Sequence, residues 1–416
     1  MTAFRDITPK EIESNLLNLK QLTFEVTDAC NLKCRYCGYG DMYFGYDKRG
    51  ANNLPINKGI MLLDYLNSLW EKQMPLEKKP QTYISFYGGE PLMNMPFIKV
   101  IIKHIRSFKV RREFLFSMTT NAVLLDKYMD FLAKNRIHLL VSLDGDKKGH
   151  SYRVNHNGEN SFDIVFRNVS MLKTKYPQYF SEYVNFNAVL HNRNSVEGIY
   201  NFIKRNFDKE PNISSLNNSE IKEDKKEEFN STFKSKEESI RESKNCEELT
   251  DKLFLTDPST YDLMLYLHQY SGNVFRDYNS LFIDRDKLKI SNTGTCSPFS
   301  KKMFLTVNGK ILQCERINHD FALGMVSEKG IELNLDKISS YFNALLKKIR
   351  KQCRSCENIK ACIQCVYYIE GISAKNPKCL AYMNEDSFRR YESSCLHHLS
   401  KHPQLYKKII SDIIVD

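Results

Sequence analysis

Residues 22–27, Leu-Thr-Phe-Glu-Val-Thr, alternate apolar and polar side chains, the period-two pattern of a half-buried strand. Directly after them stands Asp28-Ala-Cys30-Asn-Leu-Lys-Cys34-Arg-Tyr-Cys37. Three thiols on one short loop at a strand's end limit this chain more than any other feature, because they fix both a βα connection and a soft ligand set there. The chain has twelve cysteines, and its first residues, MTAFRDITPKEIESN, include no apolar signal segment. That usage argues against a disulfide framework and for metal thiolates in a reducing, cytoplasmic compartment. No apolar run reaches the roughly 18 residues of a membrane span.

The rest of the chain supplies more such units. Residues 1–20 read as an amphipathic lead-in. Strands are expected at 22–27, 82–87, 113–119, 138–143, 183–190 and 212–216, with helices at 57–71, 97–105, 124–132, 162–172 and 196–203 between them. This alternation implies parallel βαβ units, with active loops at the carboxyl ends of the strands. The period alone leaves an open doubly wound sheet and a barrel both standing. At 416 residues the chain has room for two to three domains. From Asn218 to about Glu248 Lys, Glu, Ser and Asn dominate, a linker or polar helical insertion in which Cys246 reads as incidental. Residues 260–278 resume an apolar pattern, helical at least as far as Tyr270, Asn308-Gly309 marks a hairpin between 302–307 and 310–313, and 338–349 is an amphipathic helix. The last 20 residues carry helical apolar spacing through Leu405, Ile409, Ile410 and Ile413.

Three thiolates in the C-x3-C-x2-C loop can hold three irons of a [4Fe–4S] cube and leave the fourth open. Zinc is the rival, and the lack of a second C-x2-C nearby counts against a closed tetrahedral site. Gly88-Gly89-Glu90-Pro91 ends the second strand. Its glycines let backbone approach a ligand and its carboxylate can accept from an ammonium, although alone it would read as a turn. Asn121, in Ser117-Met-Thr-Thr-Asn121, and Ser142, in Ser142-Leu-Asp144-Gly145, close the third and fourth strands, where turn chemistry is the plain alternative. Arg153 follows the fourth strand. The formal charge of +11 reads as solvated lysines, not as a nucleic-acid surface.

A second cysteine set occupies the last third. Cys296-x12-Gly309-x4-Cys314 is followed by Cys353-x2-Cys356-x5-Cys362-x2-Cys365 and Cys379. Paired C-x2-C is zinc-ribbon spacing, but seven thiolates do not divide into closed zinc sites. Cys395 is left over.

The first loop and the Gly-Gly-Glu segment resemble the motifs of radical SAM enzymes, and the second set resembles the seven-cysteine SPASM domain, with one departure: two residues, not three, separate Cys362 from Cys365. The resemblance implies a partial (β/α)6 barrel followed by a small SPASM domain with a hairpin and helices. Its boundaries would be a lead-in at 1–20, the barrel at 21–217, an insertion at 218–290, SPASM at 291–385 and a helical tail at 386–416. It implies three [4Fe–4S] clusters. Cys30, Cys34 and Cys37 would hold the one that binds S-adenosylmethionine. Cys296, Cys314 and Cys365 would hold the first auxiliary cluster, and Cys353, Cys356, Cys362 and Cys379 the second. Tyr36 would lie beside the adenine, Gly88, Gly89 and Glu90 would bind the methionine amino group, and Asn121, Ser142 and Arg153 would hold ribose, carboxylate or substrate. In place of the glycine usual after that asparagine this chain has Ala122. Glu315 stands where related sulfatase maturases carry an aspartate implicated as a base. The implied activity is oxidative modification of a ribosomally made peptide by a thioether or carbon–carbon cross-link, on a cysteine-containing substrate. A formylglycine-forming sulfatase maturase is the alternative, and a non-catalytic metalloprotein is the rival of another class. The implied partners are a peptide or protein substrate and an electron donor such as flavodoxin or ferredoxin, with a monomeric enzyme, no nucleic acid and no membrane.

Overall fold

The computed structural model describes residues 4–73, 79–270 and 293–413. The alternating segment is β1 (Gln21–Thr27), preceded by α1 (Pro9–Leu17), which buries Ile12 and Leu16. Strands and helices then alternate as α2 (Ile56–Glu71), β2 (Gln81–Gly88), α3 (Met95–Ile105), β3 (Glu113–Thr120), α4 (Leu125–Lys134) and β4 (His138–Ser142). They continue as α5 (Phe162–Lys175), α6 (Pro177–Tyr183), β5 (Val184–Val189), α7 (Val196–Phe207), β6 (Asn212–Ser214) and α8 (Lys226–Thr232). Each boundary follows from local chemistry. Helix α2 buries Leu62, Leu63, Leu66 and Trp70 along one stripe. Asn94 caps α3, and Ser195 caps α7 by accepting from Gly198 N at 3.1 Å.

The strand order settles the question the period left open. Strands β1 to β6 lie side by side in chain order, each parallel to the next. A doubly wound sheet reverses order at a switch point, whereas a barrel's strands run consecutively. The winding is that of a barrel, and it stays partial, because β6 is one edge of the sheet.

The other edge was not foreseen. The hairpin β7 (Lys302–Leu305) and β8 (Lys310–Leu312) forms where Asn308-Gly309 predicts it, with Gly309 at φ 90°. It does not found a separate domain. Strand β7 pairs parallel with β1, Gln21 opposite Lys302 and Phe24 opposite Leu305. With β9 (Gly324–Ser327) and β10 (Gly330–Glu332) it completes a ten-stranded sheet.

The chain divides into two compact units. One, the sheet unit, comprises Lys10–Ser235 and Pro298–Leu335; the other, the helical unit, comprises Met1–Pro9, Lys236–Ser297 and Asp336–Asp416. The polar insertion divides after Ser235, and the span expected to be one SPASM domain gives its residues 298–335 to the sheet, because an open β1 edge offers unpaired backbone groups that β7 satisfies. The helical unit holds α9 (Lys236–Arg241), α10 (Cys246–Leu253), α11 (Pro258–Tyr270), nearly all of α12 (Leu335–Arg354), α13 (Glu385–Lys401) and α14 (Gln404–Asp412). Its core gathers Leu263, Met264, Leu267, Cys395, Leu405 and Ile409. Ile7 is tied to α12 through Asn343, which accepts from Ile7 N at 2.9 Å and donates to Ile7 O at 2.8 Å. The helix expected from Thr260 at least as far as Tyr270 is α11, which ends at Tyr270; residues 271–278 of the apolar stretch lie outside the described residues.

Candidate active site

The three-cysteine loop is braced from two sides. On one, the Asp28 carboxylate accepts from Gly50 N at 3.0 Å and Asn52 N at 2.5 Å. On the other, Lys33 N donates to Val154 O at 2.7 Å and Arg35 N to Tyr152 O at 3.1 Å, which sets Cys34 opposite Arg153 in a short antiparallel contact. The His156 ring pairs through Nε2 with Cys30 O at 2.9 Å. Burial pushes the Cys30 thiol up to about 11 and the Cys34 thiol up to about 12, and Arg153 is the strongest influence in the opposite direction on Cys34.

The Gly-Gly-Glu segment packs on this loop with no room for side chains. A Cβ on Gly88 would stand 2.1 Å from Thr27 O, and one on Gly89 would stand 1.9 Å from Ala29 O. Gly89 N and Glu90 N donate to those same two carbonyls, at 2.8 and 2.9 Å. The glycines thus serve close approach of backbone to the cysteine loop itself. Glu90 is fully buried. Its carboxylate accepts from Leu92 N at 3.1 Å, Thr120 Oγ1 at 2.7 Å and Asn121 N at 2.7 Å. Of roughly four acceptor positions on a carboxylate, one is left for a ligand. Burial outweighs those donors and raises Glu90 to about 7. Asn121 turns its amide to Asn31 Oδ1, at 2.7 Å, and to Cys30 Sγ, at 3.8 Å, so it supports the loop from beside it. Ala122 has φ 61°, the left-handed conformation that a glycine would take without strain.

The hub of the site is Asp144, completely buried. It accepts from Arg153 Nε at 2.9 Å and Nη2 at 3.0 Å, from Val189 N at 2.9 Å, and from the Tyr36 hydroxyl. Burial works to raise it, and the Arg153 guanidinium overrides that and holds it below the usual carboxylate range. The Tyr36 ring stacks on His191, with centroids 5.5 Å apart, and meets Tyr152 edge-on at 6.3 Å. Tyr36 and Arg153, expected to face a ligand, therefore both spend their polar groups on Asp144. Ser142 is buried as the last residue of β4. Two residues that sequence reasoning missed complete the hub. His191 lies 3.9 Å from Asp144, and His150 Nδ1 accepts from Asp144 N at 3.4 Å. Burial pushes both imidazoles down to about 4, which keeps them neutral at pH 7. His150 stood beside Arg153 in sequence, but nothing local marked His191.

Cys314 and Glu315 follow β8 in the sheet unit. Burial raises Cys314 to about 12. Glu315 is held by Lys302 Nζ, and Tyr46 lies within the electrostatic influence of Glu315, Cys314 and Cys37. The helical unit carries Cys296, Cys365 and the set of four. Burial, with Cys362, Cys379 and Cys356 close by, raises the Cys353 thiol to about 12. Met383 N donates to Cys356 Sγ at 3.5 Å, and Cys379 N donates to Gln352 at 3.1 Å. Val366 N donates at 2.7 Å to Thr295 Oγ1, whose residue directly precedes Cys296. Cys246 opens α10, and Cys395 belongs to the helical core.

All twelve cysteines are thiols. Among the described residues no three His, Cys, Asp or Glu side chains are set to grip a single ion. A four-iron cube spreads its thiolates wider than one ion does. The loop fits such a cube on its chemistry: three soft donors from one loop, a backbone cradle at Gly88 and Gly89, and an amide aimed at one sulfur.

A radical SAM cyclopropyl synthase of Paramaledivibacter caminithermalis is 26% identical over 178 residues, 41% of this chain and 35% of that one. A cysteine-type anaerobic sulfatase-maturating enzyme of Clostridium novyi is 28% identical over 194 residues, 45% of this chain and 48% of that one. The chain thus spans about a third to a half of the length of these curated relatives. The solved structure "Native anSMEcpe with bound AdoMet and Kp18Cys peptide" covers 94% of this chain and 99% of its own, with TM-score 0.61 at 18% identity, a likeness of fold. Residues 24–204, which run from β1 into α7 and include the cysteine loop, the Gly-Gly-Glu segment and the Asp144 hub, match the Radical SAM superfamily, and the chain carries a radical SAM domain.

Proposed function

We propose that this chain oxidatively modifies a ribosomally made, cysteine-containing peptide, forming a thioether or carbon–carbon cross-link. The observation that carries the reading is the second cysteine set, all thiols, four of which gather at Cys353, Cys356, Cys362 and Cys379. A radical SAM domain alone needs only the first three. The family implies a [4Fe–4S] cluster on Cys30, Cys34 and Cys37, which supplies one electron to the sulfonium of S-adenosylmethionine. Around it the chain's own residues hold and exclude. Gly88 and Gly89 keep the loop against backbone, Asn121 steadies Cys30, and the fourth acceptor position of Glu90 is left for the methionine ammonium. A flavodoxin- or ferredoxin-like donor would reduce that first cluster, and auxiliary clusters, one of them on Cys353, Cys356, Cys362 and Cys379, would accept the electron that oxidation of the substrate leaves behind. No helix among the described residues is long and apolar enough to cross a membrane.

Maturation of a sulfatase is the second reading. It is favoured by the full-length fold likeness and by the maturase relatives. Anaerobic reconstitution tests both against a non-catalytic metalloprotein: about twelve irons per chain, with S-adenosylmethionine cleaved to 5′-deoxyadenosine, are expected. Zinc with no cleavage overturns the enzyme. A short Cys-rich or glycine-rich open reading frame beside the gene would supply the peptide to assay, and a sulfatase gene there would supply the rival substrate. Loss of two hydrogens supports the cross-link, and an aldehyde at cysteine supports the maturase.

A further inference from the structure

The contact between Arg153 and Asp144 lies at the hub of the site, directly behind the cysteine loop. Arg153 is 7% exposed and Asp144 is not exposed at all. The backbone bonds from Lys33 to Val154 and from Arg35 to Tyr152 hold Cys34 and Arg153 face to face. The fork on Asp144 prevents the guanidinium from turning away, and Asp144 is itself fixed by Val189 N and by Tyr36, the residue between Cys34 and Cys37. A buried cation and a buried anion are thus locked at fixed positions behind one thiolate ligand. In such surroundings charges are poorly screened, so their positions act on the ligand at full strength.

We infer that Arg153 and Asp144 are positioning residues that set the reduction potential of the cluster held by Cys30, Cys34 and Cys37, with the cation opposing and the anion augmenting the negative charge the cluster gains on reduction. This rests on the radical SAM reading of the loop. The cluster takes up one electron from its donor, no bond to Arg153 or Asp144 changes, and no proton is required from either. The surroundings of metal ligands tune potential in this manner.

The test is potentiometry followed by electron paramagnetic resonance on anaerobically reconstituted full-length protein whose second cysteine set is disabled by serine substitutions, leaving one cluster. Iron content is read first. Arg153→Gln removes the cation and is expected to lower the midpoint potential. Asp144→Asn removes the anion and is expected to raise it. Arg153→Lys keeps the charge and is expected to stay near the parent, as is the double variant Asp144→Asn with Arg153→Gln. Shifts of opposite sign at equal iron content support the inference. Equal shifts for the lysine and glutamine variants, or shifts of the same sign for Arg153→Gln and Asp144→Asn, overturn it and leave a structural contact only. Failure of the parent to take up iron would instead remove the reading of the loop.

Discussion

Lys302 Nζ stands 2.9 and 2.8 Å from the two carboxylate oxygens of Glu315, with the two side chains 23% and 14% exposed. The carboxylate beside Cys314 is therefore half of an ion pair. Burial works to raise Glu315, and Lys302 overrides it, so Glu315 sits below its ordinary value. A carboxylate held ionised in this way is a weak proton acceptor, and a general base there needs Lys302 to move off it. Replacing Lys302 by Met strands the carboxylate and is expected to cost about 1–3 kcal/mol at neutral pH. The folded value of Glu315 lies below the unfolded one, so its contribution is present above the ordinary carboxylate range and lost as pH falls through the lowered value. Urea unfolding at pH 7 and pH 4 checks this: the gap between parent and Lys302→Met should shrink at pH 4.

Glu90 titrates the other way. Its folded-state value of about 7 lies above the ordinary 4.5, so the folded chain keeps a proton that the unfolded chain releases between them. Its contribution is complete below pH 4.5 and lost as pH climbs through 7. In the S-adenosylmethionine-free protein this is expected to cost up to about 3 kcal/mol across that interval. Denaturant titrations from pH 5 to 8 should show the decline in the parent and a flatter profile in Glu90→Gln. Equal slopes would remove the assignment.

Gly88 and Gly89 admit no side chain. Gly88 combines φ 130° with a Cβ position 2.1 Å from Thr27 O, and neither carbonyl neighbour can yield without moving the cysteine loop. Gly88→Ala and Gly89→Ala are each expected to cost more than about 3 kcal/mol and to cut iron uptake by the loop sharply. Thermal unfolding and iron analysis read the two effects separately.

Cys395 and Cys379 should part company. Cys395 is packed with Leu263, Met264, Leu405 and Ile409, so Cys395→Ala is expected to cost about 1–2 kcal/mol and to leave iron content unchanged. Cys379→Ala removes a thiol whose neighbours include Cys356 and Cys362 and is expected to lose iron with little change in the sheet unit. Iron loss in the first variant, or its absence in the second, would redraw the ligand set.

Where the sequence was legible, the information was local. The strands at 22–27 and 82–87 and the stripe Leu62, Leu63, Leu66 and Trp70 follow from side-chain period, and Asn308-Gly309 follows from turn chemistry. Helix α6 escaped because Pro177–Tyr183 is too short to show a period. The parallel seating of β7 on β1 escaped because no pattern in Lys302–Leu305 names a partner so distant along the chain. The site divides in the same way. Cys30, Cys34, Cys37 and the glycines announce themselves by spacing. The engagement of Tyr36 and Arg153 by Asp144, and the arrival of His191 from the end of β5, are products of tertiary packing, which no local pattern encodes.

The seating of β7 on β1 has a mechanical consequence. The strand that delivers Cys30 and the hairpin that leads into Cys314 share backbone hydrogen bonds, and Val307 N fastens the hairpin again by donating to Glu25 at 3.0 Å. Cys314 therefore belongs to the same rigid comb as the first three thiols. The interval between them is a gauge cut into the sheet, set by strand register when β7 seats on β1.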